Sequence, residues 1–262
     1  MSALPHAAAD TATMLRRNLR HALRYPALTL SGVLVPLVIL LLFAGLLGDT
    51  LGAGLGPAAT AGGYIDYVAP GIILMTVISG CLSTSVSVCV DITGGIVNRF
   101  RTMAISRASL LWGHVLGSLI QTVISTALVI GVAVLVGFRP TAGVGDWVAA
   151  IGLLVLVALA FTWLAVLIGV LSKTPESASN TPLLFQFLPF VSSAFVPTDA
   201  MPAGVRWFAE HQPFTPIMET LRGLLMGTPI DNSGFPAVAW CAVIGLGGYL
   251  WAKRLFNRDP TP

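Results

Sequence analysis

The chain has 262 residues, 55% of them hydrophobic and only 10% charged, with a mean hydropathy of +0.86. Soluble domains carry about 25% charged residues, so lipid solvates most of this chain and no room remains for a separate soluble catalytic domain. Arginine outnumbers lysine 12 to 2 and the isoelectric point is about 9.0; in a chain this apolar, basicity points to topology and anionic lipid, not to nucleic acid.

Residues 10–24 predict a basic amphipathic helix along the cytosolic headgroups. Leu15, Leu19, Ala22 and Leu23 share one face, while Arg16, Arg20 and Arg24 form a stripe with Arg17 beside it. Asp10 or Thr11 can cap this helix and Pro26 ends it. An uncharged window then runs from Arg24 to Asp49. The run exceeds the 7–15 residues of a signal-peptide core, so it is expected to persist as a span. The Gly- and Ala-rich segment 49–66 reads as a flexible external loop without a phosphate-binding pattern.

A second uncharged window lies between Asp66 and Asp91 and carries a polar stripe of Thr76, Ser79, Ser83 and Ser87. Residues 91–109 follow, with Gly94 and Gly95 loosening the end of the helix. There, Ile96, Val97, Phe100 and Met103 can share one face, while Asn98, Arg99, Arg101 and Arg107 present polar or charged groups. A short helix with an apolar ridge, held just below the membrane, suits docking into a partner's groove, although arginines here also serve as topology anchors.

The third window, the longest, lies between Arg107 and Arg139 and carries His114, Ser118, Gln121 and Ser125 on one stripe, beside Gly113 and Gly117. Such stripes can line a substrate route, or form the small-residue seams by which membrane helices approach closely. The fourth window lies between Asp146 and Lys173. The fifth, between Glu176 and Asp199, is interrupted by Pro182, Pro189 and Pro197, which predicts a kinked helix whose freed carbonyls find partners on neighbouring helices or in water.

Residues 198–231 read as two short external helices around a break at His211-Gln212-Pro213. Pro202 would start the first, Thr215 and Pro216 would cap and start the second, and Gly227 would end it. The pair is expected to dip into the outer leaflet, with Glu219 and Arg222 close enough to pair. A sixth uncharged window lies between Asp231 and Lys253.

A spanning helix needs about 20 apolar residues, and each of the six windows is that long. They therefore predict one all-α polytopic domain over residues 1–262 with six spans, at roughly 27–48, 67–90, 110–137, 147–171, 180–197 and 233–252. With the N-terminus inside, 11 of 14 basic residues are cytosolic and only Arg139, Arg206 and Arg222 are external. Both ends are then expected in the cytosol.

Motif searches fail in an instructive way. Neither Lys173 nor Lys253 follows a glycine, so no Walker A sequence exists, and neither Gly-x-Ser-x-Gly nor His-Glu-x-x-His occurs. Cys81, Cys89 and Cys241 lie in apolar segments at unrelated spacings, which suggests packing residues and not a metal site or disulfide framework. No Asp or Glu lies inside a window, which argues against an ion-coupled secondary transporter.

Two segments resemble the permease subunit of ABC type-2 exporters of the daunorubicin-resistance type. One is Asp91 with Gly95-Ile-Val-Asn-Arg-Phe-Arg-Thr-Met-Ala-Ile-Ser-Arg107 and the following Gly113-His-Val-Leu-Gly117; the other is His211-Gln-Pro-Phe-Thr-Pro-Ile-Met-Glu-Thr-Leu-Arg-Gly-Leu-Leu-Met-Gly227. Gln212 stands where the family often has Asn, and Ala104 where it often has proline. The resemblance implies a bacterial inner-membrane permease paired with two copies of a separate ATPase and with a second copy or paralogue of itself. This chain would bind no cofactor; ATP and Mg would sit on the ATPase. The loop 91–109 would be the coupling helix, inserting Phe100 into the ATPase, and the cargo would be a hydrophobic or amphipathic drug or lipid-like molecule. The rival expectation is a polytopic protein without ATP-driven transport: an intramembrane enzyme, a scaffold or a secondary transporter.

Overall fold

The computed structural model describes residues 11, 13, 15–16, 26–46, 63–95, 107–230 and 232–257, and these are built from helices with short connections. In chain order they are α1 (Pro26–Leu41, continued by a π-helical turn over Leu42–Leu46), α2 (Tyr64–Thr93), α3 (Arg107–Val136) and α4 (Val144–Leu171). Then follow α5 (Pro175–Phe187), α6 (Ala203–His211), α7 (Phe214–Met226) and α8 (Gly234–Asn257). Of the expected amphipathic N-terminal segment, Thr11, Thr13, Leu15 and Arg16 are helical.

Among the described residues, four helices are long and apolar enough to cross a bilayer: Tyr64–Thr93, Leu111–Val136, Val144–Leu171 and Gly234–Phe256. The first window contributes a shorter apolar helix, Gly32–Gly45. The fifth departs most from expectation. Its helix has 13 residues, a rise of about 20 Å against a hydrocarbon core of about 30 Å. Pro189, which lacks an N–H, converts the chain to a 3₁₀ turn over Leu188–Val191, and a turn rather than a kinked continuation follows.

The central helix is α2. Within its most apolar stretch α2 is 76% buried, against 28% for α3 and 22% for α8, so the latter two lie at the outside of the bundle. Around α2 pack α1, α3, α4 and α5, while α8 lies along α4. Close approach depends on glycine at two points. A Cβ at Gly71 would lie 2.9 Å from the Cβ of Ala194, and one at Gly80 would overlap the side chain of Thr122. These small-residue contacts bring the broken fifth segment and α3 against α2.

The helix ends follow local chemistry. At the C-terminal end of α2, the Gly94 N–H donates to the Val90 carbonyl, and Gly95 adopts φ 72°, a left-handed geometry that favours glycine. Thr174 caps α5 by accepting from the Ser177 N–H, followed by Pro175 in the first helical position. The expected pair of short helices forms with Pro202 before α6 and left-handed Gly227 after α7. The start of α7 differs slightly from expectation: it begins at Phe214, and the Thr215 hydroxyl donates to the Ala209 carbonyl, tying α7 back to α6 instead of capping it.

Candidate functional site

Beyond Phe187 the chain leaves regular helix inside the protein. Ser192, Ser193 and Ala194 are buried, so their backbone groups require partners other than water. Ser192 supplies two: its hydroxyl donates to the Pro189 carbonyl at 2.6 Å and accepts from the Ala194 N–H at 3.2 Å. Side chains of the α6–α7 pair and of α2 supply others. Arg222 on α7 sends Nη2 to the Ser193 carbonyl at 2.6 Å, with the carbonyls of Tyr67 at 3.3 Å and Ala194 at 3.5 Å also in reach. Gln212, just before Pro213, donates to the Val191 carbonyl at 2.7 Å. From α2, the Tyr67 hydroxyl donates to the same Ser193 carbonyl at 3.0 Å.

The Arg222 guanidinium lies 3.9 Å from the Tyr67 ring centroid, so the ring face offsets part of its desolvation. Arg222 and Glu219 do not form the expected ion pair. Glu219 instead accepts from the Ser233 hydroxyl at 2.8 Å, fixing the start of α8, while Arg222 is spent on backbone carbonyls. A delocalised, planar cation with several donors suits this task. Pro213 precedes α7 and the buried Pro216 lies in its first turn, so both set where that helix begins. The exposed ion pairs lie elsewhere: Arg206 meets Asp199 at 2.8 Å and Glu210 at 2.7 Å. The Glu210 hydrogen bond and the Asp199 carboxylate raise the Arg206 guanidinium further above its ordinary value.

The polar stripes divide into two kinds. On α2, Thr76 is buried and donates to the Ile72 carbonyl at 2.8 Å, which is a packing role. Ser79 accepts from Gln186 of α5 at 3.1 Å. Ser83 and Ser87 are exposed beyond it towards the C-terminal end of α2. On α3, Ser118 and Ser125 are buried and Gln121 is half-buried, so most of that stripe faces protein.

Where α2 ends and α3 begins, the structure places Asp91 inside the last turn of α2, buried, with Oδ2 2.9 Å from His114 Nε2. Asp91 is therefore a clamp between the two helices that flank the loop, not a group on the loop's surface. Gly95 turns the chain away from α2, and Arg107 opens α3. Asn98, Arg99, Phe100, Arg101 and Met103 lie outside the described residues.

Sequence reasoning missed Tyr67 and the full role of Gln212. Gln212 lay within a quoted motif, so a signal was present. Tyr67 offered only an aromatic at the start of an apolar window, and its partner carbonyl lies 126 residues away.

The profile of the ABC-2 type transporter family matches residues 9–226. The chain is 28% identical over 223 residues to the daunorubicin resistance ABC transporter permease protein DrrB1 of Streptomyces coeruleorubidus, covering 85% of this chain and 77% of that one. It is 24% identical over 212 residues to the probable doxorubicin resistance ABC transporter permease protein DrrC of Mycobacterium tuberculosis strain H37Rv, covering 81% and 76%. The matched stretch takes in the Asp91–His114 clamp, the broken fifth segment and the Arg222 hub together, and the chain belongs to the ABC-2 type transporter family.

Proposed function

We propose that this chain is the membrane-spanning permease subunit of an ATP-driven exporter, moving a hydrophobic or amphipathic drug or lipid-like molecule outward from the cytosol or inner leaflet. The observation that carries this function is the family match over residues 9–226, joined by two relatives named as drug-resistance permeases. The sequence has no Walker A motif, so the energy comes from a separate ATPase, which holds ATP and Mg. Two such ATPases would serve two permeases, the second being a copy or a paralogue of this chain.

In this arrangement the chain crosses the bacterial inner membrane six times with both ends cytosolic. The broken fifth segment, too short to span as a regular helix, completes its crossing through the turn fastened by Arg222 and Gln212. The loop 91–109 is the coupling element, anchored at its base by Asp91 and His114. Its polar surface, Asn98, Arg99 and Arg101, would meet the ATPase, with Phe100 and Met103 filling a groove. The open part of the polar stripes, Ser83 and Ser87 on α2, is the section available to a substrate. Thr76, Ser118 and Ser125 serve packing, Ser79 is taken by Gln186 of α5, and Gln121 is half-buried.

The test is reconstitution of the chain with its ATPase in proteoliposomes, measuring drug-stimulated ATP hydrolysis and drug movement. Phe100→Ala should remove most of the stimulation while the protein still inserts and assembles. Stimulation equal to that of the unmutated complex would refute the coupling role. Drug movement by the purified chain without an ATPase would refute the exporter reading itself and favour an autonomous transporter.

A further inference from the structure

A cavity of about 370 Å³ lies against α8 near its C-terminal end, lined among the described residues by Gly247, Leu250, Trp251, Arg254 and Leu255. The first four recur at i, i+3, i+4 and i+7, so they share one face of the helix. The other side of α8 is the one that packs, with Ala252 and Phe256 buried. There a Cβ at Gly248 would lie 2.9 Å from the Trp163 backbone carbon of α4, and the Tyr249 ring meets the Trp163 ring edge-on with centroids 4.8 Å apart. A Cβ at Gly247 would meet nothing within 4 Å, and Leu250 and Trp251 are 55% and 57% exposed.

The chemistry of this face is graded along the helix. Gly247 leaves a gap in the apolar surface of the Gly234–Phe256 span. Arg254 stands two residues before the end of that span, at the depth where lipid head groups begin. Arg254 has no ion-pair partner among the described residues, whereas Arg206 meets two carboxylates and Arg222 meets backbone carbonyls. The neighbouring cation, Lys253, turns to the packed side, with Nζ 5.6 Å from the Tyr249 ring centroid. The last turn of a helix offers free carbonyls, which repel an anion, so any attraction on this face must come from Arg254.

We propose that this cavity holds an anionic phospholipid, its phosphate on the Arg254 guanidinium and the top of one acyl chain in the gap over Gly247 beside Trp251. The planar fork of arginine matches a phosphate in geometry and charge. The volume lies at the small end of the range for ligand sites, so the rest of the lipid stays in the bilayer. A zwitterionic lipid brings a cation alongside its phosphate, which opposes Arg254, and a bare hydrocarbon chain leaves the guanidinium without a counter-charge. With the C-terminus cytosolic, as proposed above, the site faces the inner leaflet, whose surface is anionic. It requires α8 to lie in lipid and does not depend on the exporter function.

The probes are a phosphatidylglycerol and a phosphatidylcholine that carry the same photoreactive diazirine near the top of one acyl chain. Each is added at the same low fraction to phosphatidylcholine nanodiscs holding the full-length chain, and adducts are mapped by mass spectrometry. The anionic probe should label the stretch Gly247–Leu255 roughly five-fold more than the zwitterionic one, the ratio one basic residue at a membrane surface supplies. In Arg254→Gln the two probes should label equally, while in Lys253→Gln the preference should remain. Soluble glycerol phosphate at millimolar concentration should leave the labelling unchanged. Equal labelling of the unmutated chain would overturn the proposal, since the face would then be ordinary lipid-exposed surface. So would a preference that survives Arg254→Gln, or one lost equally in Lys253→Gln. Displacement by glycerol phosphate would overturn it too, by making the occupant a free phosphate ester. The first comparison needs no mutation and stands whether or not the variants fold.

Discussion

The two ends of the bundle are held by different means. At the end that carries α6 and α7, several side chains converge on a stretch of broken backbone, and Arg222 alone reaches three carbonyls while stacking on Tyr67. At the end where α2 stops and α3 starts, a buried contact of 2.9 Å between Asp91 and His114 bridges the two helices just before the chain turns away at Gly95. The Arg222 lock supplies donors to backbone carbonyls in a low-dielectric interior, and the Ser193 carbonyl takes two of them, from Arg222 and from Tyr67. The Asp91–His114 clamp instead joins two side chains on neighbouring helices.

This contrast can be broken experimentally. Arg222→Ala should have the largest effect, lowering stability by about 2–3 kcal/mol because charge-assisted bonds to buried carbonyls are lost without replacement. It should be read as a drop in the thermal unfolding midpoint of the purified protein, with Arg222→Lys recovering part of it. An unchanged midpoint for the alanine variant would mean that the 192–195 turn is held by packing alone. His114→Ala should cost less, about 1–2 kcal/mol, since it removes one partner of a buried carboxylate. Its more telling readout is the ATPase stimulation of the reconstituted complex, which should fall by more than the stability change accounts for. Parallel losses of both would reduce the clamp to a packing contact. Arg206→Gln should be the mildest. Its ion pairs with Asp199 and Glu210 are solvent-exposed, so neither the midpoint nor transport should move measurably.

Much of the fold was legible because the bilayer imposes a simple rule on sequence. Uncharged windows of sufficient length become helices, and the second, third and fourth windows appear as full-length helices close to their charged borders, with α4 bounded by Gly143 and Ser172; the sixth does so too, extending to Asn257. The two short helices were legible from Pro202, the break at His211-Gln212-Pro213 and Gly227, whose backbone preferences are local, although the second starts at Phe214 and not at Pro216. The fifth window was not. Its prolines announced an interruption, but whether the chain kinks and continues or stops and turns depends on which donors stand nearby. Those donors, Tyr67, Gln212 and Arg222, come from two other segments. The same limit explains the expected Glu219–Arg222 pair. Spacing on a helix brought the two within reach of each other, but it could not show that Ser193 and Ser233 offered each of them a closer partner.

The sequence by itself determined that the chain lives in lipid and where most of its helices begin and end, because these follow from composition, charge placement and local backbone chemistry. Only the tertiary structure decided which polar groups inside the bundle meet and in what pairs: Arg222 on backbone carbonyls, Asp91 on His114, and Glu219 on Ser233. Hydrogen-bond partners more than a few turns apart are chosen by packing geometry, and in a medium without water that choice decides what each polar side chain does.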